Sequence, residues 1–343
     1  MALIKMNIAR ESNFEMLRLI AMFFIVWYHL LLKFIVVIDD TPIYKAMYLP
    51  LHVAVICFVL ISGYFHIKPS LHGGSKLLFP LLLFYLPLTL FEIVQHKGGI
   101  ESLLFFSKSP YWFIRVYFYL YLFAPILNSY LVSERRRISL LLILAFISFY
   151  MGWLMQDNSM TDGKNLVLFI FIYVLGDCLK YYHEKIDKVS TRNLVMIYLF
   201  LNIVLVLIYN SFAEGIIGEI VFKLSYPYCA PVLIMNACLL FLIFSRLHFF
   251  SRTVNWLAGS VLAVYVLHHQ SFVLYVLIQP CVMYLYHENT SPIVLLIFLS
   301  FLAWTILFVG IIVDKIFSPL QNAYLNVVDR LANHLRTKMG WLL

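Results

Sequence analysis

Apolar runs of roughly twenty residues, separated by short polar stretches, recur along the whole chain, and a run of that length is what a membrane-crossing helix needs. Ten such stretches are predicted, at 14–37, 46–65, 76–94, 111–131, 138–155, 166–182, 194–211, 226–244, 254–278 and 292–317. Pro227 and Pro231 interrupt the start of the eighth, and 212–223 before it reads as a short interfacial or re-entrant piece. The first run is too long for the apolar core of a signal peptide, and no small-residue cleavage site follows it, so it is expected to be a retained helix. Beyond 317, Leu320, Leu325, Val328, Leu331 and Leu335 recur as on one face of an amphipathic surface helix. The expected layout is an N-terminal cytoplasmic segment 1–13, a transmembrane domain 14–317 and an amphipathic cytoplasmic tail 318–343. No polar stretch is long enough for an attached soluble domain. No internal repeat is evident, which weighs against an inverted-repeat transporter. The fold class is all-α, a polytopic membrane protein.

Composition agrees with the pattern. Hydrophobic residues make up 63% of the chain and charged ones 12%, against roughly 45–50% and 25% in soluble globular domains. That leaves too few polar side chains to cover a soluble surface, and it excludes intrinsic disorder. Lys and Arg then fix the expected orientation. Seventeen fall on the side that holds both termini and five on the other, which assigns both termini to the cytoplasm. The formal net charge of +8 is therefore the loop bias of a membrane protein, and nucleic acid is not an expected partner. Cys57, Cys178, Cys229, Cys238 and Cys281 all lie in apolar stretches without metal-type spacing, so they read as packing residues.

Ionisable side chains inside a bilayer are costly, and each is a functional candidate. The first predicted helix carries Asn13-Phe14-Glu15-Met16-Leu17-Arg18 and continues to Trp27-Tyr28-His29. Arg18 and His29 are eleven residues apart, about three turns plus 20°, so they share a face about 16 Å apart along the axis. Glu15 neighbours Arg18 at i, i+3. One stripe thus joins the cytoplasmic mouth to a deeper imidazole. The plainer accounts are that Arg18 snorkels to inner headgroups and that His29 is a hydrogen-bonded packing residue. Ser62-Gly63 near the end of the second helix suits a close helix approach or a bend. Tyr111-Trp112-Phe113 suits an aromatic belt at the membrane interface, whereas Arg115 suits an anionic group near the outer mouth. His268 and His269 are adjacent in the ninth helix and point about 100° apart, so at most one is expected to face the cavity of His29. No third ligand of suitable spacing is evident, and no metal is expected.

Together these segments resemble the acyltransferase-3 family of integral membrane acyltransferases, in the branch that acetylates bacterial surface polysaccharides. The resemblance runs from about residue 7 to 317 and rests on several short motifs. They are Asn13-Phe14-Glu15 with Arg18 and His29, Phe58-Val59-Leu60-Ile61-Ser62-Gly63-Tyr64, Tyr111-Trp112-Phe113 leading to Tyr121 and Pro125-Ile126-Leu127-Asn128, and Tyr265-Val266-Leu267-His268. Each is short, and their joint order is the more specific signal. The resemblance implies acetyl-CoA as a donor bound from the cytoplasm, and a hydroxyl of a surface or lipid-linked glycan as acceptor on the outer side of the bacterial inner membrane. It also implies direct transfer or hand-over to a separate polysaccharide-assembly protein, because the extra hydrolase-like domain of some relatives is not expected in this chain. Relatives with Trp-Phe-x-x-x-Glu have a glutamate where this chain has Tyr117, so no carboxylate role carries over to that position.

The expected chemistry has His29 as general base, since a neutral imidazole suits proton abstraction near pH 7. Arg18 holds the CoA phosphates or polarises the thioester carbonyl. Glu15, Ser62, Gly63, Trp112, Arg115, Tyr121 and His268 are the expected substrate-binding residues. Other classes fit the same buried Arg and His: a transporter or flippase for a lipid-linked oligosaccharide, a scaffold in a polysaccharide-assembly complex, or a glycan polymerase.

Overall fold

The structure, a computed structural model, describes residues 11–95, 99–103, 111–157, 159–270, 272–288 and 290–339. Most of the predicted N-terminal segment and the loop charges Lys97 and Lys108 lie outside the described residues. All regular elements among those described are helices. In chain order they are α1 (Ser12–Ile35), α2 (Pro42–Phe65) and α3 (Leu71–Phe91), α4 (Trp112–Tyr130), α5 (Glu134–Leu154) and α6 (Leu166–Tyr181). Then follow α7 (Thr191–Phe212), α8 (Ile216–Ser225), α9 (Pro231–Ser245), α10 (Arg252–His268), α11 (Val273–His287) and α12 (Pro292–Ile316), and α13 (Ser318–Met339).

Local chemistry sets many of the starts. Ser70, Ser133, Asn165, Ser190, Ser251 and Ser291 each accept a bond from a backbone N–H three residues on. Each thereby satisfies one of the donors a helix N-terminus leaves open. Pro231 opens α9 at a first-turn position, where its missing N–H costs nothing. The predicted eighth helix consequently starts five residues later than expected, and part of 212–223 forms the separate short helix α8.

Helices occupy all ten predicted stretches. Among the described residues, six of these helices are long and apolar enough to cross a membrane, namely α1, α2, α3, α5, α7 and α12. A seventh crossing results if the bent pair α10–α11 counts as one span. The ninth stretch is thus a broken helix, not the continuous 254–278 expected. Its halves meet at 83°, with Gln270 non-helical at the break. The chain is a multi-pass membrane protein.

The burial pattern is inverted relative to a soluble fold. Leu142, Phe146, Phe200, Leu207 and Phe301 are exposed, whereas Asn13, Glu15, His52, Asp177 and Asn236 are buried. Helix α1 is the central post, packed against α2, α9, α10 and α12. Its first turn is clasped by polar bonds: the Ser12 hydroxyl donates to Asn255 Oδ1 at 2.9 Å, and Asn13 Nδ2 to the Phe244 carbonyl at 3.0 Å. Helix α2 packs most extensively on α6. The contact is so close that a Cβ on Gly63 would lie 2.0 Å from the Tyr173 carbonyl oxygen, and one on Gly176 2.4 Å from that of Leu60. Beside it Asp177 pairs with Arg137 of α5 and accepts from His66 Nε2 at 2.7 Å. His66 ends α2 at φ 58°, a backbone region uncommon for non-glycine residues. Asn202 of α7 and Asn236 of α9 exchange amide bonds of 3.0 and 2.9 Å. Helix α13 lies on the start of α3, where Tyr324 packs on Phe79 at 5.4 Å between ring centroids and His72 meets Asp329 at 3.1 Å.

Candidate functional site

Three adjoining cavities follow α1 from Arg18 to His29. The largest, about 560 Å³, is open, with three cations, Arg18, Lys68 and Lys76, against one carboxyl, Asp314, in its walls, beside His66, Tyr117 and Tyr121. The second, about 160 Å³, shares Arg18, Ser62, Leu77, Tyr117 and Leu262 with the first and is otherwise apolar, lined by Met22, Ile25, Phe58 and Phe113 among others. It shares Ile25, Phe113 and Tyr265 with the third, a space of only about 20 Å³ that contains His29, His52, Trp112 and Tyr228. A charged mouth, an apolar passage and an aromatic chamber with two imidazoles therefore lie in series, and the stripe expected on α1 runs along their length.

At the mouth, Arg18 Nη1 donates to Glu15 Oε1 at 2.5 Å. Glu15 is buried and Arg18 half-buried, so the carboxylate orients the guanidinium and leaves its other N–H groups for a ligand. Ser62 donates to the Phe58 carbonyl at 2.8 Å and lies 3.0 Å from the Tyr117 hydroxyl. Tyr117, where relatives of one pattern have glutamate, thus lines the junction of the two larger cavities as a neutral hydroxyl. Tyr121 donates to the Ser70 carbonyl at 2.9 Å and accepts from the Ser70 amide at 2.8 Å. It pins the first turn of α3 while forming part of the wall.

Four predicted residues line none of these cavities: Glu15 and His268, which touch Arg18 and His29 from behind, and Gly63 and Arg115. Gly63 faces the backbone of Tyr173 and makes the α2–α6 contact. Arg115 is half-buried one turn beyond Trp112 and lines none of the three cavities. The cation beside Trp112 is Lys164, whose amine lies 5.9 Å from the indole centroid. The loop that carries it is held by Gly163 at φ 70°, where a Cβ would sit 2.9 Å from that of Tyr228, and by the Tyr228 amide donating to the Asp162 carbonyl at 3.1 Å.

Around His29 the hydrogen bonds assign protons. His268 Nδ1 lies 2.8 Å from the Val264 carbonyl, which only accepts, so Nδ1 carries the proton. In neutral His268, Nε2 is then an acceptor. It faces His29 Nδ1 at 2.9 Å, which puts the His29 proton on Nδ1 and leaves the lone pair on Nε2. His268 is buried and meets the cavities only by its contact with His29.

Both adjacent histidines meet His29, contrary to the helical spacing. The His29 and His269 rings are 4.3 Å apart between centroids and those of His29 and His268 5.2 Å. His268 is the last residue of α10 and His269 caps it, and the two rings bracket His29 from neighbouring directions. One ring nitrogen from each of the three lies within 4.8 Å of the others, a spacing that can hold a metal ion. His269 Nδ1 is 3.5 Å from Lys33 Nζ. Tyr111 steadies the helix end by donating to the Val266 carbonyl at 2.9 Å, and Gln270 Nε2 donates to the Tyr111 hydroxyl at 2.9 Å.

His52 was missed by sequence reasoning. Its Nδ1 donates to the Tyr226 carbonyl at 2.6 Å, and its ring packs among Tyr28, Tyr226 and Tyr228 at 4.3–4.8 Å. The available signal was that any intramembrane ionisable residue is a candidate. Tyr28 and Tyr226 close the same wall through hydroxyls 2.8 Å apart.

The profile of a protein family described as an acyltransferase domain matches residues 11–312, which contain Arg18, Ser62, Tyr117 and the histidines of this site. No curated protein matches the chain, and no solved structure does.

Proposed function

The chain belongs to the acyltransferase-3 family, and from that premise we propose that it moves an acetyl group from cytoplasmic acetyl-CoA to a hydroxyl of a surface or lipid-linked polysaccharide. The observation that carries this reading is the series of cavities from Arg18 to His29. CoA has an anionic nucleotide, a thin flexible arm and a thioester end, in the same order as cationic mouth, apolar passage and chamber. Arg18, with Lys68 and Lys76, meets the phosphates. The passage takes the arm. The chamber at His29, about 20 Å³, is the narrowest of the three, and the small acyl end of the donor is the part placed there.

In this mechanism the acceptor hydroxyl approaches from the His29 end. His29 Nε2 takes its proton as the oxygen attacks the thioester carbonyl carbon. The C–S bond then breaks, the CoA thiolate takes the proton back from the imidazolium, and neutral His29 is restored. The proposed setting is the bacterial cytoplasmic membrane, with both termini inside. The acceptor is presented there by separate polysaccharide-assembly proteins.

The test is transfer in proteoliposomes. Labelled acetyl-CoA is supplied on the side of the termini together with a surface-glycan extract. Wild type should label the glycan and release CoA. His29→Ala should lose about 10²–10⁴ in rate, the share a positioned base supplies, while still inserting normally. Arg18→Ala should raise KM for acetyl-CoA roughly tenfold to a hundredfold, the loss of one charged hydrogen bond. Folded wild type that neither binds nor consumes acetyl-CoA refutes the reading and leaves movement of a lipid-linked glycan as the activity to assay.

A further inference from the structure

On the side of His29 away from His52 lies a cluster that acyl transfer does not use. Three imidazoles converge where two would serve, and His269 Nε2 is buried with no hydrogen-bond partner among the described residues. Three neutral imidazoles are a donor set for late first-row divalent ions, Zn²⁺ among them, and disfavour Mg²⁺ and Ca²⁺, which require oxygen. Two tetrahedral ligands at 2.0–2.1 Å from Zn²⁺ lie about 3.3 Å from each other. His29 Nδ1 and His268 Nε2 are already 2.9 Å apart, so they need open only slightly. The third nitrogen lies within 4.8 Å of both, so His269 needs to swing in by at most about 1.5 Å to reach that ligand spacing. The outer shell is also in place, because the Val264 carbonyl holds His268 Nδ1 and aims Nε2 at the centre, as metal-bound imidazoles commonly are held.

We propose that His29, His268 and His269 form a binding site for a late first-row divalent metal ion, Zn²⁺ or a close relative, and that the bound ion silences His29 as a base. The second half rests on the proposed function; the first does not. An ion on His29 Nδ1 takes the lone pair of that nitrogen, so the proton there leaves it. On a neutral ring the proton moves to Nε2, the atom that must be bare to accept a proton from the acceptor hydroxyl. No bond to carbon changes and no redox partner is needed. Lys33, 3.5 Å from His269 Nδ1, places a cation beside the ion and opposes its binding. It makes the site weaker than the same ligands would be alone.

The experiment uses the full chain in nanodiscs, washed with chelator, with Zn²⁺ alone as the probe. Equilibrium dialysis followed by metal analysis should find one Zn²⁺ per chain. His269→Gln should weaken binding tenfold or more, about the least that losing a ligand costs when outer-shell changes alone cost 10–100-fold. Lys33→Met should strengthen it. Circular dichroism and the unfolding temperature of each variant establish that it is folded, and His268→Gln serves as a second ligand variant. Wild type without stoichiometric Zn²⁺, or binding that both ligand variants retain, overturns the site. Acetyl transfer is then measured with and without the ion. Transfer should fall in wild type, recover on chelation and be insensitive in His269→Gln at the same Zn²⁺ concentration. Zn²⁺ that occupies the site yet leaves transfer unchanged overturns the silencing and His29 as the base, with the metal site intact.

Discussion

His268 decides which nitrogen of His29 carries the proton, because its own Nδ1 is committed to the Val264 carbonyl. Replacing it with alanine removes the acceptor opposite His29 Nδ1 and lets the tautomers mix. His268→Ala should lower kcat, within the 10²–10⁴ or so that a positioned base contributes, and leave KM for acetyl-CoA nearly unchanged. His268→Gln, whose amide oxygen accepts from the same N–H, should recover part of the loss. A purely structural role would predict equal damage from both variants, and the tautomer itself can be read from ¹⁵N shifts of labelled His29.

Among the elements, α2 and α6 are joined by glycine backbones rather than by large side chains. A Cβ at Gly63 meets a carbonyl oxygen at 2.0 Å, and backbone cannot move aside as a side-chain tip can. Gly63→Ala should destabilise by about 1–3 kcal/mol, the usual cost of overpacking, read as a lower unfolding temperature in detergent. Molecules that do fold should keep a normal KM for the donor. The Asn202–Asn236 pair joins α7 to α9 in a different way. Asn202→Leu strands the Asn236 amide in an apolar contact and should cost about 1–3 kcal/mol. The double change Asn202→Leu with Asn236→Leu should cost less than the two singles summed, since it strands neither partner.

Over the whole molecule, the arrangement depends on the three cavities remaining in series. Leu262 lines both the mouth and the passage. Leu262→Trp should fill the junction, abolish transfer and still bind the nucleotide part of CoA, as 3′,5′-ADP titration would show. A variant that transfers normally would sink the continuous path from Arg18 to His29. The buried pair of Arg137 and Asp177 acts at a distance from this path. It ties α5 to α6, and through His66 to the wall of the mouth. Arg137→Met leaves Asp177 as an under-compensated buried charge and should destabilise by roughly 3–5 kcal/mol, seen as reduced folded yield.

The amino-acid sequence by itself determined what is local to one segment. Apolar run length located the ten helical stretches, and capping residues and Pro231 marked several of their starts. Helical spacing within α1 put Arg18 and His29 on one face. These follow because the period of a helix and the thickness of a bilayer are fixed. Tertiary structure alone decided which segments meet. It brought His52 and Tyr228 into the chamber of His29, turned Gly63 to Tyr173, and set Lys164 over Trp112. It also brought both His268 and His269 against His29. In a membrane the outside of a helix is as apolar as its packed face, so no hydrophobic stripe records which neighbour it will have. That choice is made by small residues, buried polar pairs and breaks in helices, which act only once two segments are side by side.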